Sequence, residues 1–79
     1  MSKYLLVAID INPDNTTRFK NEEDFDDYDT AYDRMMQMYH DAVANGDPNF
    51  IQETDYTKYN AIVRFADGAR FTIEIMEER

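Results

Sequence analysis

Tyr28, Ala31, Tyr32, Met35, Met38, Tyr39 and Ala42 recur at three- and four-residue spacing and make one uninterrupted apolar stripe. No other part of the chain carries this period, so it predicts a single amphipathic helix from about Tyr28 to Asn45. Asp27 or Asp29 can serve as N-cap, and carboxylates in the first turn complement the helix dipole. Gly46 is placed to close the helix in a left-handed cap, and Pro48 prevents its continuation. A one-sided helix cannot bury its stripe alone. The remaining segments must supply the surface it packs on, and they read as strands.

Tyr4–Ile11 alternates Leu5, Val7, Ile9 and Ile11 on one face with Tyr4, Leu6 and Ala8 on the other, the pattern of a central strand covered on both sides. Asn12-Pro13-Asp14-Asn15 is a turn, because proline fixes φ and asparagine tolerates the left-handed region. Thr16–Lys20 then fits a short second strand. Phe50–Thr57 reads as a loop, followed by a hairpin of Tyr59–Phe65 and Arg70–Met76. Parity selects its turn. A two-residue Asp67-Gly68 turn would set Arg70 and Glu74 against the apolar row of Tyr59, Ala61, Val63 and Phe65. A three-residue loop, Ala66-Asp67-Gly68, instead pairs Val63 with Phe71 and Ala61 with Ile73, and puts Gly68 where positive φ is needed.

The expected fold is α+β: residues 1–79 as a single small domain, strand-strand-helix-strand-strand, with a four-stranded antiparallel sheet and the helix across one face. The expected core is Leu5, Val7, Ile9, Ala31, Met35, Met38, Val63, Phe71 and Ile73. With 79 residues and no cysteine, the chain is near the lower limit for a domain held by one hydrophobic core. It is too rich in apolar anchors, at 43% hydrophobic and 14% aromatic, for a disordered segment.

Charge is the second constraint. Glu22, Glu23, Asp24, Asp26, Asp27, Asp29 and Asp33 put seven carboxylates into twelve residues that hold no basic side chain. The whole chain stands at −9, so the other sixty-seven residues sum to −2 and the acidity is local. Carboxylates in the first helical turn stabilise that turn, and charge aids solubility. Glu22, Glu23 and Asp24 precede the helix, where the dipole's influence has fallen off, and they repel one another. That cost suggests a use as a partner-binding surface for a basic protein. Nucleic acid and anionic membrane are excluded as direct ligands, since both are bound through cations.

Other chemistry has little to work with, and no catalytic, cofactor or metal site is assigned. Ser2 is the only serine, His40 the only histidine, and two glycines make no phosphate-cradling loop. His40 reads as a histidine at the solvent edge of the helix. Asp10, Asn12 and Asp14 match positions 1, 3 and 5 of a calcium loop. The match then fails, with Asn15 at the glycine position, Asn21 where glutamate belongs and a strand in place of the entering helix. A turn explains these residues more simply. Met35 and Met38 fit the core, while Met36, beside Tyr32 and Val43, broadens the apolar face and reads first as extra core, with an adaptable contact surface as the alternative. The amino-terminal apolar run is too short to span a membrane and lacks a small-residue cleavage site, the pattern of a mature soluble protein, and the absence of cysteine fits a reducing cytoplasm.

In size, charge and element order the chain resembles the small acidic, cysteine-free inhibitors encoded by phages and mobile elements, of the anti-CRISPR and anti-restriction type. That resemblance assigns no residue. It implies a compact, non-enzymatic inhibitor that acts in the host cytoplasm as a DNA mimic, covering the basic surface of a CRISPR effector or another nucleic-acid-binding defence protein. The alternative is a small homodimeric structural or regulatory protein that pairs through the Tyr/Met helix face or a sheet edge.

Overall fold

The computed structural model describes residues 3–78. The elements run β1 (Lys3–Ile11), β2 (Thr17–Phe25), α1 (Tyr28–Asn45), β3 (Ile51–Tyr56), β4 (Asn60–Phe65) and β5 (Arg70–Glu78). One antiparallel sheet holds all the strands in the order β2-β1-β5-β4-β3, with α1 on one face. The expected α+β class stands, but the sheet has five strands where the sequence suggested four. The added strand is β3, which falls in the segment read as a loop. Only Ile51 in it is even half-buried. As an edge strand it is held by backbone pairing to β4, from Ile51 opposite Phe65 to Tyr56 opposite Ala61. A polar edge needs no apolar alternation, so the sequence carries no periodic signal for it.

β2 is longer than the Thr16–Lys20 reading and continues to Phe25, so Asn21–Asp24 are themselves strand. The pairing of Asp10 with Phe19 and Ile11 with Thr17 leaves Arg18 as a bulge residue. The preceding turn forms as expected. Asn15 has φ 72°, its N–H donates to Asn12 O at 2.9 Å, and Asp14 accepts from the Thr16 N–H at 3.0 Å.

α1 has the expected ends. Asp27 is the N-cap, accepting from the Thr30 N–H at 2.7 Å. The C-terminal cap differs from expectation: Gly46 has φ −82° and is not left-handed. Glycine is needed there for room. A Cβ at Gly46 would lie 2.8 Å from Ile51 Cδ1 and 3.2 Å from Ala42 O, so its absence lets β3 start hard against the last helical turn. α1 thus packs over β4, β5, β1 and β2, and its C-terminal end abuts the start of β3 at Ile51.

The core lies between α1 and the sheet and contains Leu6, Ala8, Ala31, Met35, Tyr39, Ala61, Val63, Ile73 and Ile75. Ala31, Met35, Val63 and Ile73 are as expected, and Met38 and Phe71 pack at its margin. Leu5, Val7 and Ile9 are a correction, since they occupy the opposite face of β1. Both parities of β1 are apolar, so periodicity alone cannot choose between them. Register can. Leu6 and Ala8 lie beside Ile75 and Ile73 of β5, whereas Leu5, Val7 and Ile9 lie beside Met76, Glu74 and Thr72. On that uncovered face Val7 is still buried, with Glu22 and Glu74 as its cross-strand neighbours.

The β4–β5 hairpin has the register that parity selects, with Val63 opposite Phe71 and Ala61 opposite Ile73. Gly68 has φ +96° in the three-residue loop, and its N–H donates to Phe65 O at 3.0 Å. Arg64 and Arg70 face each other across the ladder and are drawn apart. Arg64 pairs with Glu53 at 3.6 Å, and Arg70 donates to Asn15 Oδ1 at 2.9 Å.

Candidate functional site: an acidic corner

The seven carboxylates divide by geometry. Along β2, alternate side chains point to opposite faces. Glu22 and Asp24 therefore share the uncovered face with Val7 and Leu5, while Glu23 points to the helix side. Glu23 is the tethered member, accepting from Arg34 Nε at 3.1 Å and from Asn21 Nδ2 at 3.2 Å. Glu22 pairs with Lys20 at 3.1 Å in a half-exposed contact. Asp26 and Asp27 form the corner between strand and helix. Asp29 and Asp33, four residues apart, share the solvent side of α1.

Asp24, Asp26, Asp27, Asp29 and Asp33 are all exposed, and none lies within ion-pair distance of a cation among the described residues. Asp27 caps the helix, and Asp29 lies in its first turn, where a carboxylate complements the dipole. Hydrogen bonds from the Thr30 side chain and N–H hold the Asp27 carboxyl below the usual aspartate range, so it stays charged in mild acid. The contiguous part of the patch is thus Asp24–Asp29, with Asp33 one helical turn further on.

A tyrosine cluster fixes this corner. The Tyr28 ring meets those of Tyr4, Tyr32 and Tyr59 at centroid distances of 5.9, 5.8 and 5.4 Å. The Tyr28 hydroxyl donates to the Lys58 carbonyl, tying the first helical turn to the β3–β4 connection. Burial, then the neighbouring Tyr59 and Tyr32, raise the Tyr28 phenol above its ordinary value. The corner is therefore a set of carboxylates on a packed aromatic base. Tyr28 was legible as part of the helix stripe, but its long-range partner was not.

The turn that resembled a calcium loop has its oxygens committed locally. Asp14 accepts from the Thr16 N–H and hydroxyl, and Arg18 approaches Asp10 at 3.8 Å. Among the described residues, no three side chains from histidine, aspartate or glutamate converge as metal ligands. His40 is exposed beside Tyr39, with ring centroids 5.5 Å apart. The Tyr/Met face of α1 lies mostly on the sheet. Met35 and Tyr39 are buried, and Tyr32, Met36 and Met38 pack against the core. Among the described residues, no helix is long and apolar enough to cross a membrane.

The fold also leaves a feature that no local pattern signals. One corner of the helix-side sheet face stays open as a groove of about 800 Å³, floored by Phe65 and Phe71 and flanked by Phe19 and Phe50. These residues come from four separate segments, so only the tertiary fold assembles them. Comparison with protein-family models, curated proteins and solved structures finds no match to this chain.

Proposed function

We propose that this protein is a non-catalytic binding protein, an inhibitor that presents its β2–α1 corner to a basic surface built to hold a nucleic-acid backbone. The observation that carries this reading is the set of five exposed carboxylates, Asp24, Asp26, Asp27, Asp29 and Asp33, without a cation partner among the described residues. Like charges left unneutralised on a rigid aromatic base cost stability, and a basic partner would turn that cost into affinity. Spaced carboxylates can stand in for phosphates, and their field steers a cationic groove into fast encounter. A CRISPR effector or another nucleic-acid-binding defence protein in the host cytoplasm has a surface of this kind.

The test is capture from host lysate by wild type and by a variant with Asp24, Asp26, Asp29 and Asp33 changed to Asn, keeping the Asp27 cap. The proposal expects a nucleic-acid-binding protein on the wild type alone, released as salt rises. Equal recovery of the same partner by both chains would overturn it.

A second reading, a homodimer, rests on the uncovered sheet face, where Leu5, Ile9 and Ile62 are only half-buried and Met76 is 40% exposed. Sedimentation equilibrium separates the two, because a strict monomer leaves only the first.

A further inference from the structure

The groove under the second half of α1 is independent of the acidic corner. Two of its four phenylalanines are poorly covered, Phe19 at 60% exposed and Phe50 at 42%. Phe50 stacks at a tilt on Phe65, with ring centroids 6.0 Å apart, so the aromatic wall continues onto the floor. An aromatic concavity of this size left in water gains hydrophobic free energy when an apolar side chain fills it.

The rim decides what kind of side chain arrives. Arg18 and Arg34 are already engaged, the first with Asp10 at 3.8 Å and the second with Glu23 at 3.1 Å and Gln37 Oε1 at 2.9 Å. Asp41, Asp47 and Asp67 also line the groove, and no cation lies within ion-pair distance of them among the described residues. Asp47 and Asp67 each use one oxygen in a turn, accepting from the Asn49 and Ala69 N–H groups at 2.9 Å, which fixes their carboxylates at the rim. The groove is therefore apolar within and negative around its edge.

A second copy of this chain is a poor occupant, because it brings a further −9 and its own acidic rim to the contact. We propose that the groove docks a partner's peptide segment with a bulky apolar side chain flanked by lysine or arginine. The apolar anchor would seat among Phe19, Phe50, Phe65 and Phe71, and the cations would meet Asp41, Asp47 and Asp67. Anchor-plus-charge recognition of this kind puts the affinity in the buried side chain and the selection in the rim.

The test uses the ¹⁵N-labelled full chain and a pool of synthetic octapeptides with central tryptophan and leucine and lysine or arginine at the flanks. Expected are amide shifts around Phe19, Phe50 and Phe71. Binding is expected to weaken at least tenfold in the Phe19→Ser, Phe50→Ser double variant. Both side chains are exposed, and an unchanged thermal melt checks that the fold is intact. The Asp41→Asn, Asp47→Asn, Asp67→Asn variant is expected to bind more weakly and with less salt dependence.

Replacing the central pair by glycine and serine separates this site from the corner. A purely charged peptide is expected to shift residues 22–33 and leave the groove unmoved. Shifts confined to residues 22–33 with the full peptide, or no binding up to about 1 mM, overturn the proposal. So does a dimer of the free chain that the double phenylalanine variant abolishes, since a second copy would then fill the groove. Groove binding that survives neutralisation of Asp24, Asp26, Asp29 and Asp33 supports the proposal whatever becomes of the corner.

Discussion

Glu23 accepts from Arg34 Nε at 3.1 Å, and this pair joins the acidic strand to the helix that packs over it. Both side chains are about one-third exposed, at 33% and 37%, so solvent screens the contact and its worth is below about 1 kcal/mol. A double-mutant cycle with Glu23→Gln and Arg34→Met is expected to give a coupling of that size by urea unfolding. Glu23→Gln is also expected to leave partner binding nearly unchanged, while Asp24→Asn and Asp26→Asn weaken it together. Equal losses from all three would show that the strand's charges act without regard to the face they occupy.

The two faces of β1 give a paired stability test. Leu6 is fully buried against α1, whereas Leu5 faces the uncovered side. Leu6→Ala and Met35→Ala are each expected to cost about 2–5 kcal/mol, a large part of the stability open to a domain this small. Leu5→Ala is expected to cost clearly less, read as denaturation midpoints. A greater loss at Leu5 would mean that its face is covered in solution.

The two glycines fail for different reasons. Gly68→Ala places a Cβ at φ +96° with only ordinary contacts to Pro13 nearby, so strain of about 1 kcal/mol is expected from the backbone alone. Gly46→Ala meets no φ penalty but drives its Cβ to 2.8 Å from Ile51 Cδ1. Overpacking of about 1–3 kcal/mol is expected there. Ile51→Val removes that methyl, so it is expected to relieve part of the Gly46→Ala loss and none of the Gly68→Ala loss. Thermal melts of the single and double variants decide it.

Asp27 sets an acid limit. Its folded pKa lies below the ordinary 3.8 because Thr30 hydrogen-bonds the charged form. A group depressed in this way contributes stability that is present above its unfolded pKa and lost as pH falls through the folded one. The expected outcome is a Tm that declines from about pH 3.8 downwards, with that component missing in Asp27→Asn. Asparagine still caps, so at pH 7 Asp27→Asn is expected to stay close to wild type while Asp27→Ala falls below it. An Asp27→Asn melt that follows wild type through the acid range would assign the decline to other carboxylates.

The helix was legible because its stripe from Tyr28 to Ala42 has only one period that fits. The β4–β5 hairpin was legible because a wrong turn would have faced Arg70 and Glu74 into the apolar row. The inward face of β1 was not legible, because both of its parities are apolar and only pairing with β5 sets Leu6 and Ala8 beside Ile75 and Ile73. β3 was hidden because Glu53–Tyr56 pair with β4 through backbone, and side-chain patterning reports burial, not pairing. The corner's residues were readable one by one. That Glu23 turns away from Glu22 and Asp24 emerged only once Asn21–Phe25 proved to be strand.

That alternation has a consequence for the shape of anything that reads the acidic segment. Glu22 and Asp24 project below the sheet, and Asp29 and Asp33 stand on the outer side of the helix above it, with Asp26 and Asp27 at the bend. The charges therefore trace the rim of a wedge. A flat cationic plate laid against it would reach only one side at a time, whereas a cleft with two basic walls could close over both.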